Sequence, residues 1–284
     1  MCGICGFAAF DRDYRVDQTL IREMGYAIRH RGPDDEGYYF GEGIGLAHRR
    51  LSIIDLSTGK QPIYNEDKSK CIVFNGEIYN YQDLRQYLAG LGHTFQTKTD
   101  TEVILHLFEE KGEACVEDLR GMFAFAIWDN RERSLFLARD RLGIKPLYYW
   151  RSEQGVCFSS ELKSILVFNK PNRFAVNYPL IDQYLALNYT MGPETMIQGI
   201  EKLMPGHTLT QKDSRVTVRQ YWDFDGIKER GDSFDECLEK TRALLEETTR
   251  IHLISDVPLG AFLSGGIDSS LTVAIMAQLT NRPV

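Results

Sequence analysis

The chain opens Met-Cys-Gly-Ile-Cys-Gly-Phe. If Met1 is removed, Cys2 carries a thiol and a free α-amino group on one residue. A thiol is a strong nucleophile. An α-amino group, with an ordinary pKa of about 7.7–8.0, can act as its base near neutral pH. A second stretch, SGGIDSS at 264–270, offers different chemistry. Gly265 and Gly266 let a backbone approach a ligand closely, and a following helix presents unpaired N–H groups and its positive dipole end. Ser264, Ser269 and Ser270 add hydroxyls, so the donor set suits phosphate or pyrophosphate. Asp268 would repel a bare phosphate unless a hard cation such as Mg2+ bridged the two. No lysine follows the glycines, so this is not a G-x-x-x-x-G-K-S/T loop. A Gly turn with an Asp/Ser helix cap reads the same residues equally well.

Other features are weaker alone. NGEIYN (75–80) follows an apolar run. Asn-Gly there most often marks a turn. The functional reading is an oxyanion hole, with the Asn75 amide and the Gly76 N–H aimed at a developing negative oxygen. HRRLSI (48–53) puts two arginines at a strand, where a guanidinium can grip a carboxylate with two hydrogen bonds. Solvated arginines or structural ion pairs are the ordinary alternative. Glu77 and Asp100 could receive a substrate ammonium, or be surface and capping carboxylates, with Asp100 a plausible N-cap. The six histidines show no metal-ligand spacing and read as surface or supporting residues. Cys2 and Cys5 make a C-x-x-C without the second pair that zinc needs. Cys5, Cys71, Cys115 and Cys157 read as small buried apolar residues.

The elements that must position these groups follow from periodicity. VDQTLIREMGYAIRH (16–30), DLRQYLAGLGH and DTEVILHLFEEKG have helical spacing. GIGLAHRRLSIID and CIVFNGEIY read as strands. MFAFAIWD and SLFLARD read as a hairpin through NRER; PLYYWRSEQGVCFSSEL and HTLTQKDSRVTVRQYW read as two more. Antiparallel hairpins with a few helices predict an α+β fold for roughly the first 220 residues. The pattern then changes. FDECLEKTRALLEETTRIHL is a long amphipathic helix, and PLGAFL, SGGIDSS and LTVAIMAQL read as strand, Gly-rich turn and helix, the start of a parallel α/β sheet. A single βα unit cannot bury both faces of its strand, so either the chain is a fragment or the tail needs a further partner. The polar stretch 223–233 marks the boundary, giving domains at 1–222 and 223–284.

Bulk properties exclude several classes. The net charge is −7, with no basic block for nucleic acid or acidic membrane. No apolar run reaches the roughly 18–20 residues that span a bilayer. The N-terminus lacks the basic-then-apolar order of a signal peptide, so the cytoplasm is the expected location and free thiols the expected state.

The order of motifs is more specific than any one of them. MCGICGF, RHRGPDDEG, AHRRLSIID, FNGEIYNY, TDTEVI, MFAFAIWD, ARDRLGIKPLYY and SGGIDSS occur in one succession. The whole chain resembles the glutamine-dependent asparagine synthetase family: a class II glutamine amidotransferase domain followed by the start of an ATP-pyrophosphatase domain. The resemblance implies an αββα sandwich of the N-terminal-nucleophile hydrolases, then a Rossmann-like domain. It implies that Met1 is removed and that Cys2 attacks the side-chain amide of glutamine with its own α-amino group as base. Asn75 and Gly76 then hold the oxyanion. Arg50 matches the residue that binds the substrate carboxylate, Asp100 the one that binds its ammonium, with Glu77 assisting, and the main chain at Leu51 and Ile53 lines the pocket. Leu263, Ser264, Gly265, Gly266, Asp268, Ser269 and Ser270 match the ATP loop, with Asp268 on Mg2+. Ammonia would then amidate an adenylated aspartate β-carboxylate.

The implied partners are small molecules: glutamine, aspartate and ATP. Nucleic acid and membrane are not expected, and a homodimer is left open. Three alternatives stay open: a relative that amidates another carboxylate, on a polysaccharide or secondary metabolite; a glutaminase alone, if the chain is complete; and a non-catalytic binding fragment. Sugar-phosphate and phosphoribosyl amidotransferases would share the first domain, but SGGIDSS argues against them.

Overall fold

The computed structural model describes residues 1–52, 59–168, 174–229, 231–254 and 257–280. The chain divides into two compact units, the first ending at Asp223 and the second beginning at Phe224. The first contains β1 (Gly3–Ala9), α1 (Gln18–Ala27), β2 (Asp35–Gly41), β3 (Ile44–Arg50), β4 (Ile63–Tyr64), β5 (Lys70–Ile78), α2 (Tyr81–Gly90), α3 (Asp100–Lys111) and α4 (Cys115–Asp118). It continues with β6 (Gly121–Asp129), β7 (Ser134–Arg139), β8 (Tyr148–Arg151), β9 (Gly155–Ser159), α5 (Leu162–Phe168), α6 (Pro179–Leu187), β10 (Ile200–Lys202), β11 (His207–Lys212) and β12 (Arg215–Gln220).

These strands form two six-stranded sheets, in the orders β10-β8-β9-β1-β3-β2 and β12-β11-β7-β6-β5-β4. The two central strands of each sheet are apolar on both faces, and the strand period of two sorts their residues into layers. From β1, Ile4 and Ala8 face the second sheet, with Ile44 and Leu46 of β3. They meet Cys71 and Val73 of β5 and Ala124 and Ala126 of β6 there. The alternate residues of β1, Cys5 and Phe7, pack outward on Ile21, Met24 and Ile28, at and just beyond α1, and on Ile165 of α5. On the far side, Ile72, Phe74 and Ile78 of β5 and Phe123 and Phe125 of β6 face Val103, Ile104 and Leu107 of α3. Helix, sheet, sheet and helix therefore stack as the αββα sandwich that the resemblance implies. Cys5, Cys71, Cys115 and Cys157 are fully buried, and burial pushes the Cys5 thiol up to about 12, so they are inert packing residues.

The three predicted hairpins form with their turns where expected: β6–β7, β8–β9 and β11–β12. Two local expectations fail. Asn75 and Gly76 are not a turn; they lie inside β5, paired with Ala124 and Phe123 of β6. Burial between a helix layer and a sheet outweighs the turn preference of Asn-Gly, and glycine is required for another reason. A Cβ on Gly76 would sit 2.2 Å from the Met122 carbonyl oxygen. Nor is Asp100 the cap of α3. Thr99 holds that position, its side chain accepting from the Glu102 N–H, and Asp100 is the first helical residue.

The second unit holds α7 (Phe234–His252) and α8 (Ile267–Leu279). Ser233 and Glu236 form a capping box at the start of α7. The predicted strand PLGAFL is absent: residues 258–263 adopt no strand pairing among the described residues. A parallel strand needs a hydrogen-bonded neighbour on its edge, and none is present there. No described helix is long and apolar enough to cross a membrane.

Candidate active site

Cys2 lies at the entry to β1, where the ladder places Gly3 opposite Arg49 of β3. Its sulfur sits against the main chain of Leu51, accepting from the N–H at 3.4 Å and facing the carbonyl oxygen at 3.6 Å. The Arg31 Nε donates to the Cys2 carbonyl at 2.9 Å, and the same guanidinium pairs with Glu161 at 3.0 Å. Burial pushes the thiol above its ordinary value; the Leu51 hydrogen bond, the amino terminus and Arg50 draw it back, and Asp100 raises it. Burial lowers the amino terminus, so that amine gives up its proton nearer neutrality. Here the amine still belongs to Met1.

Arg49 and Arg50 divide two roles. Arg49 pairs with Glu36 and donates to the Gly25 carbonyl at 3.1 Å, so it is structural. Arg50 points the other way in the pleat and is buried close to Cys2, whose titration it affects. The chain leaves β3 at Arg50 and runs on into Leu51; Ile53 lies outside the described residues. His48, two residues before Arg50 in the same strand, links the sheets through a 3.1 Å hydrogen bond with the Phe74 carbonyl. Burial drives its pKa down to about 3, so it is neutral and acts as a spacer between β3 and β5.

That link brings β5 to the same place. Asn75 is buried, and its Nδ2 has no hydrogen-bond partner among the described residues. A buried, unsatisfied amide donor costs about 1–3 kcal/mol, which marks it as waiting for an acceptor. Arg31 Nη2 is another buried donor with no partner among the described residues. Two residues along β5 from Asn75, Glu77 is held near 7 by burial and by the charge of Asp100, with Lys145 opposing. Asp100 is buried at the head of α3 and accepts from the Ile78 N–H at 2.9 Å. Burial raises it to about 6, against the pull of its backbone and Thr101 hydrogen bonds.

Lys145 was not singled out from sequence, although ARDRLGIKPLYY contains it. Asp140 folds the loop that carries it: one carboxylate oxygen accepts from Leu142 N (3.2 Å) and Ile144 N (2.9 Å), the other from Lys145 N (2.9 Å) and Phe123 N (3.1 Å). Arg139 closes the loop from outside, donating to the carbonyls of Gly143, Lys145 and Leu203. The ammonium so placed is buried and interacts electrostatically with both Cys2 and Glu77.

In the second unit, Gly265 has φ +82° with open space where a Cβ would be, and Gly266 caps α8. Ser264 and Ser269 hydroxyls meet at 2.9 Å across the loop, and Asp268 lies in the exposed first turn. The first-turn N–H groups of such a helix have no intrahelical acceptor, so the donor set fits a phosphate chain. Leu263 and Phe262 before the loop are exposed.

Comparisons with known proteins agree with this layout. Residues 1–222 match the family model for a glutamine amidotransferase domain, and residues 240–284 match one described as asparagine synthase. Asparagine synthetase [glutamine-hydrolyzing] 1 of Bacillus subtilis is 40% identical over 97% of this chain and 44% of its own length. Asparagine synthetase B [glutamine-hydrolyzing] of Escherichia coli is 36% identical, with 100% of this chain and 46% of the relative covered. The chain thus spans less than half the length of these relatives. Among solved structures, the glutamine phosphoribosylpyrophosphate amidotransferase of B. subtilis superimposes with TM-score 0.57 at 17% identity, covering 99% of this chain and 65% of that one. The enzyme described as the allosteric regulatory enzyme of purine biosynthesis gives 0.58 at 16% identity, covering 99% and 64%. Both show the shared fold alone. With residues 1–222 matched by one family model, the chain belongs to the glutamine amidotransferase family.

Proposed function

We propose that the first unit hydrolyses glutamine and supplies ammonia to a ligase reaction that converts aspartate to asparagine. The observation that carries the glutaminase reading is the buried Asn75 amide nitrogen, which has no partner among the described residues, beside Gly76 and on the strand that leads to Glu77. With Met1 removed, the Cys2 α-amine takes the thiol proton and the sulfur attacks the amide carbon of glutamine. A C–S bond forms and the carbonyl becomes an oxyanion, which accepts from Asn75 Nδ2 and the Gly76 N–H. Collapse breaks the C–N bond, and the amine hands its proton to the departing nitrogen, which leaves as ammonia. Water then attacks the thioester, releasing glutamate and restoring the thiol. Arg50 holds the substrate carboxylate; Asp100 and Glu77 hold its ammonium, and the Leu51 main chain orients the sulfur.

The asparagine-forming half rests on the named relatives and on the loop 264–270. There Ser264, Gly265, Gly266, Ser269 and Ser270 would bind the phosphates of ATP, Leu263 would border the adenine, and Asp268 would hold Mg2+. The ion would neutralise phosphate charge as the aspartate β-carboxylate is adenylated. Such a reaction, consuming ATP and amino acids, fits a cytoplasmic setting.

The test is the intact mass of the purified chain before and after a diazo-ketone analogue of glutamine. Loss of Met1 and one covalent adduct, absent in Cys2→Ala, is expected. Retention of Met1, or no adduct, would overturn the glutaminase reading.

A further inference from the structure

Four side chains that the proposed reaction does not use converge within the first unit. Glu66 lies between β4 and β5, His93 between α2 and α3, and His106 and Glu109 three residues apart on one face of α3. One donor atom from each lies within 4.8 Å of all the others. His106 Nδ1 is 2.9 Å from Glu109 Oε2 and 3.6 Å from Glu66 Oε2. His93 Nδ1 is 3.5 Å from Glu66 Oε1 and 3.8 Å from Glu109 Oε2. A tetrahedron with metal–ligand bonds of about 2.0–2.1 Å has edges of roughly 3.3–3.4 Å. The four imidazole–carboxylate separations, 2.9 to 3.8 Å, bracket that value, so the groups surround one point on which an ion would draw them together.

Three of the four donors are also held from behind. Glu110 lies 2.9 Å from Nε2 of His93, whereas Glu102 stands 3.7 Å from Nε2 of His106, which makes no hydrogen bond among the described residues. Asn65 Nδ2 donates to Oε1 of Glu109 at 2.6 Å, and the Thr94 N–H donates to Oε1 of Glu66 at 3.1 Å. Glu102 itself accepts from the N–H groups of Gln96 and Thr97, each at 2.7 Å. A ring whose far nitrogen hydrogen-bonds a carboxylate, as His93 does with Glu110, is fixed in the tautomer that offers the near nitrogen to a metal. Four carboxylates, of Glu66, Glu102, Glu109 and Glu110, surround two rings whose centroids are 4.7 Å apart, a concentration of negative charge that suits a divalent cation.

We propose that Glu66, His93, His106 and Glu109 form a binding site for a single divalent cation of the zinc class. Two imidazole nitrogens and two carboxylate oxygens in tetrahedral array suit that ion rather than magnesium or calcium, which take six or more oxygens. Its action is positional. It ties the β4–β5 turn and the α2–α3 loop to α3, whose first residue, Asp100, bonds the Ile78 N–H of β5.

The test uses the full chain, stripped with a chelator and titrated with zinc, then with cobalt(II) as a spectroscopic probe. One equivalent per chain is expected, with the visible d–d absorption of tetrahedral cobalt and no sulfur-to-cobalt charge-transfer band. Because His106 is fully buried and its replacement could prevent folding, the variants are His93→Ala and the exposed Glu66→Gln, each checked by circular dichroism. Both should lose the site, and Glu110→Gln should weaken it by about 10–100-fold. Failure to bind a full equivalent of zinc, undiminished binding in either His93→Ala or Glu66→Gln, or a thiolate signature would overturn the proposal.

Discussion

Asn75 and Gly76 are neighbours on β5, and changing each should do the opposite kind of harm. Asn75 Nδ2 bonds nothing within the described residues, so Asn75→Ala removes a donor that the folded state does not use. Its thermal midpoint should stay close to the parent, while kcat for glutamine hydrolysis falls about 10²–10³-fold, the usual cost of one oxyanion donor. Gly76→Ala puts a methyl 2.2 Å from the Met122 carbonyl and should cost about 2 kcal/mol or more, read as a lower thermal midpoint. The acids give a pH prediction. Burial first, then mutual charge, holds Glu77 near 7, and burial holds Asp100 near 6. Both are raised, so their contribution to stability is present below the ordinary carboxyl range near 4 and is lost as pH rises through 6–7. Binding an ammonium requires the opposite, ionised form. Thus kcat/KM for glutamine should climb as pH rises through about 6–7, and the upper step should vanish in Glu77→Gln, with the two groups titrating as a coupled pair. A profile flat from about pH 5 to 8 would remove these acids from substrate binding.

Elements explain which of these residues could be found in advance. Cys2 was legible because a terminal position needs no fold to define it, and the hairpins were legible because period-two alternation and short polar turns are local signals. Asn75 was ambiguous for the converse reason. Its neighbours in sequence favour a turn, and only the pairing of β5 with β6 and the packing of Phe74 and Ile78 against α3 make it a strand residue. Arg49 and Arg50 look alike as letters; the pleat alone sends one to Glu36 and the other inward. Glu66, His93 and His106 stand on three separate segments, so no ligand spacing exists to be read. PLGAFL failed because strand character depends on a partner outside the segment. The β7–β8 loop is the element most open to test. Asp140 alone accepts four backbone N–H groups from it and from β6. Asp140→Ala would leave buried donors unpaired and release Lys145 from the Cys2–Glu77 neighbourhood. Lowered stability together with a fall in glutaminase kcat is expected; unchanged kinetics in a folded variant would show that Lys145 needs no such support.

At the scale of the molecule, apolar burial is unevenly shared. All three hydrophobic clusters are built from residues of the first unit. In the second, α7 has no buried residue, α8 has only Ile275 and Met276, and Phe234, Phe262 and Ile267 are 80%, 101% and 86% exposed. Two helices with so little buried surface cannot offset the conformational entropy of ordering their residues. The first unit, with two sheets and both helix layers, can. Limited proteolysis of the 284-residue chain should therefore cut first beyond Asp223 and leave a resistant fragment close to residues 1–223, identified by mass. That fragment should unfold in one cooperative transition and, with Met1 removed, still take the glutamine-analogue adduct at Cys2, because Cys2, Arg50, Leu51, Asn75, Gly76, Glu77 and Asp100 all lie in the first unit. Early cleavage inside β5 or β6, or an adduct that requires residues past 223, would mean that the glutamine site draws its stability from the second unit. The ammonia-producing half would then not be separable from the half that begins with SGGIDSS.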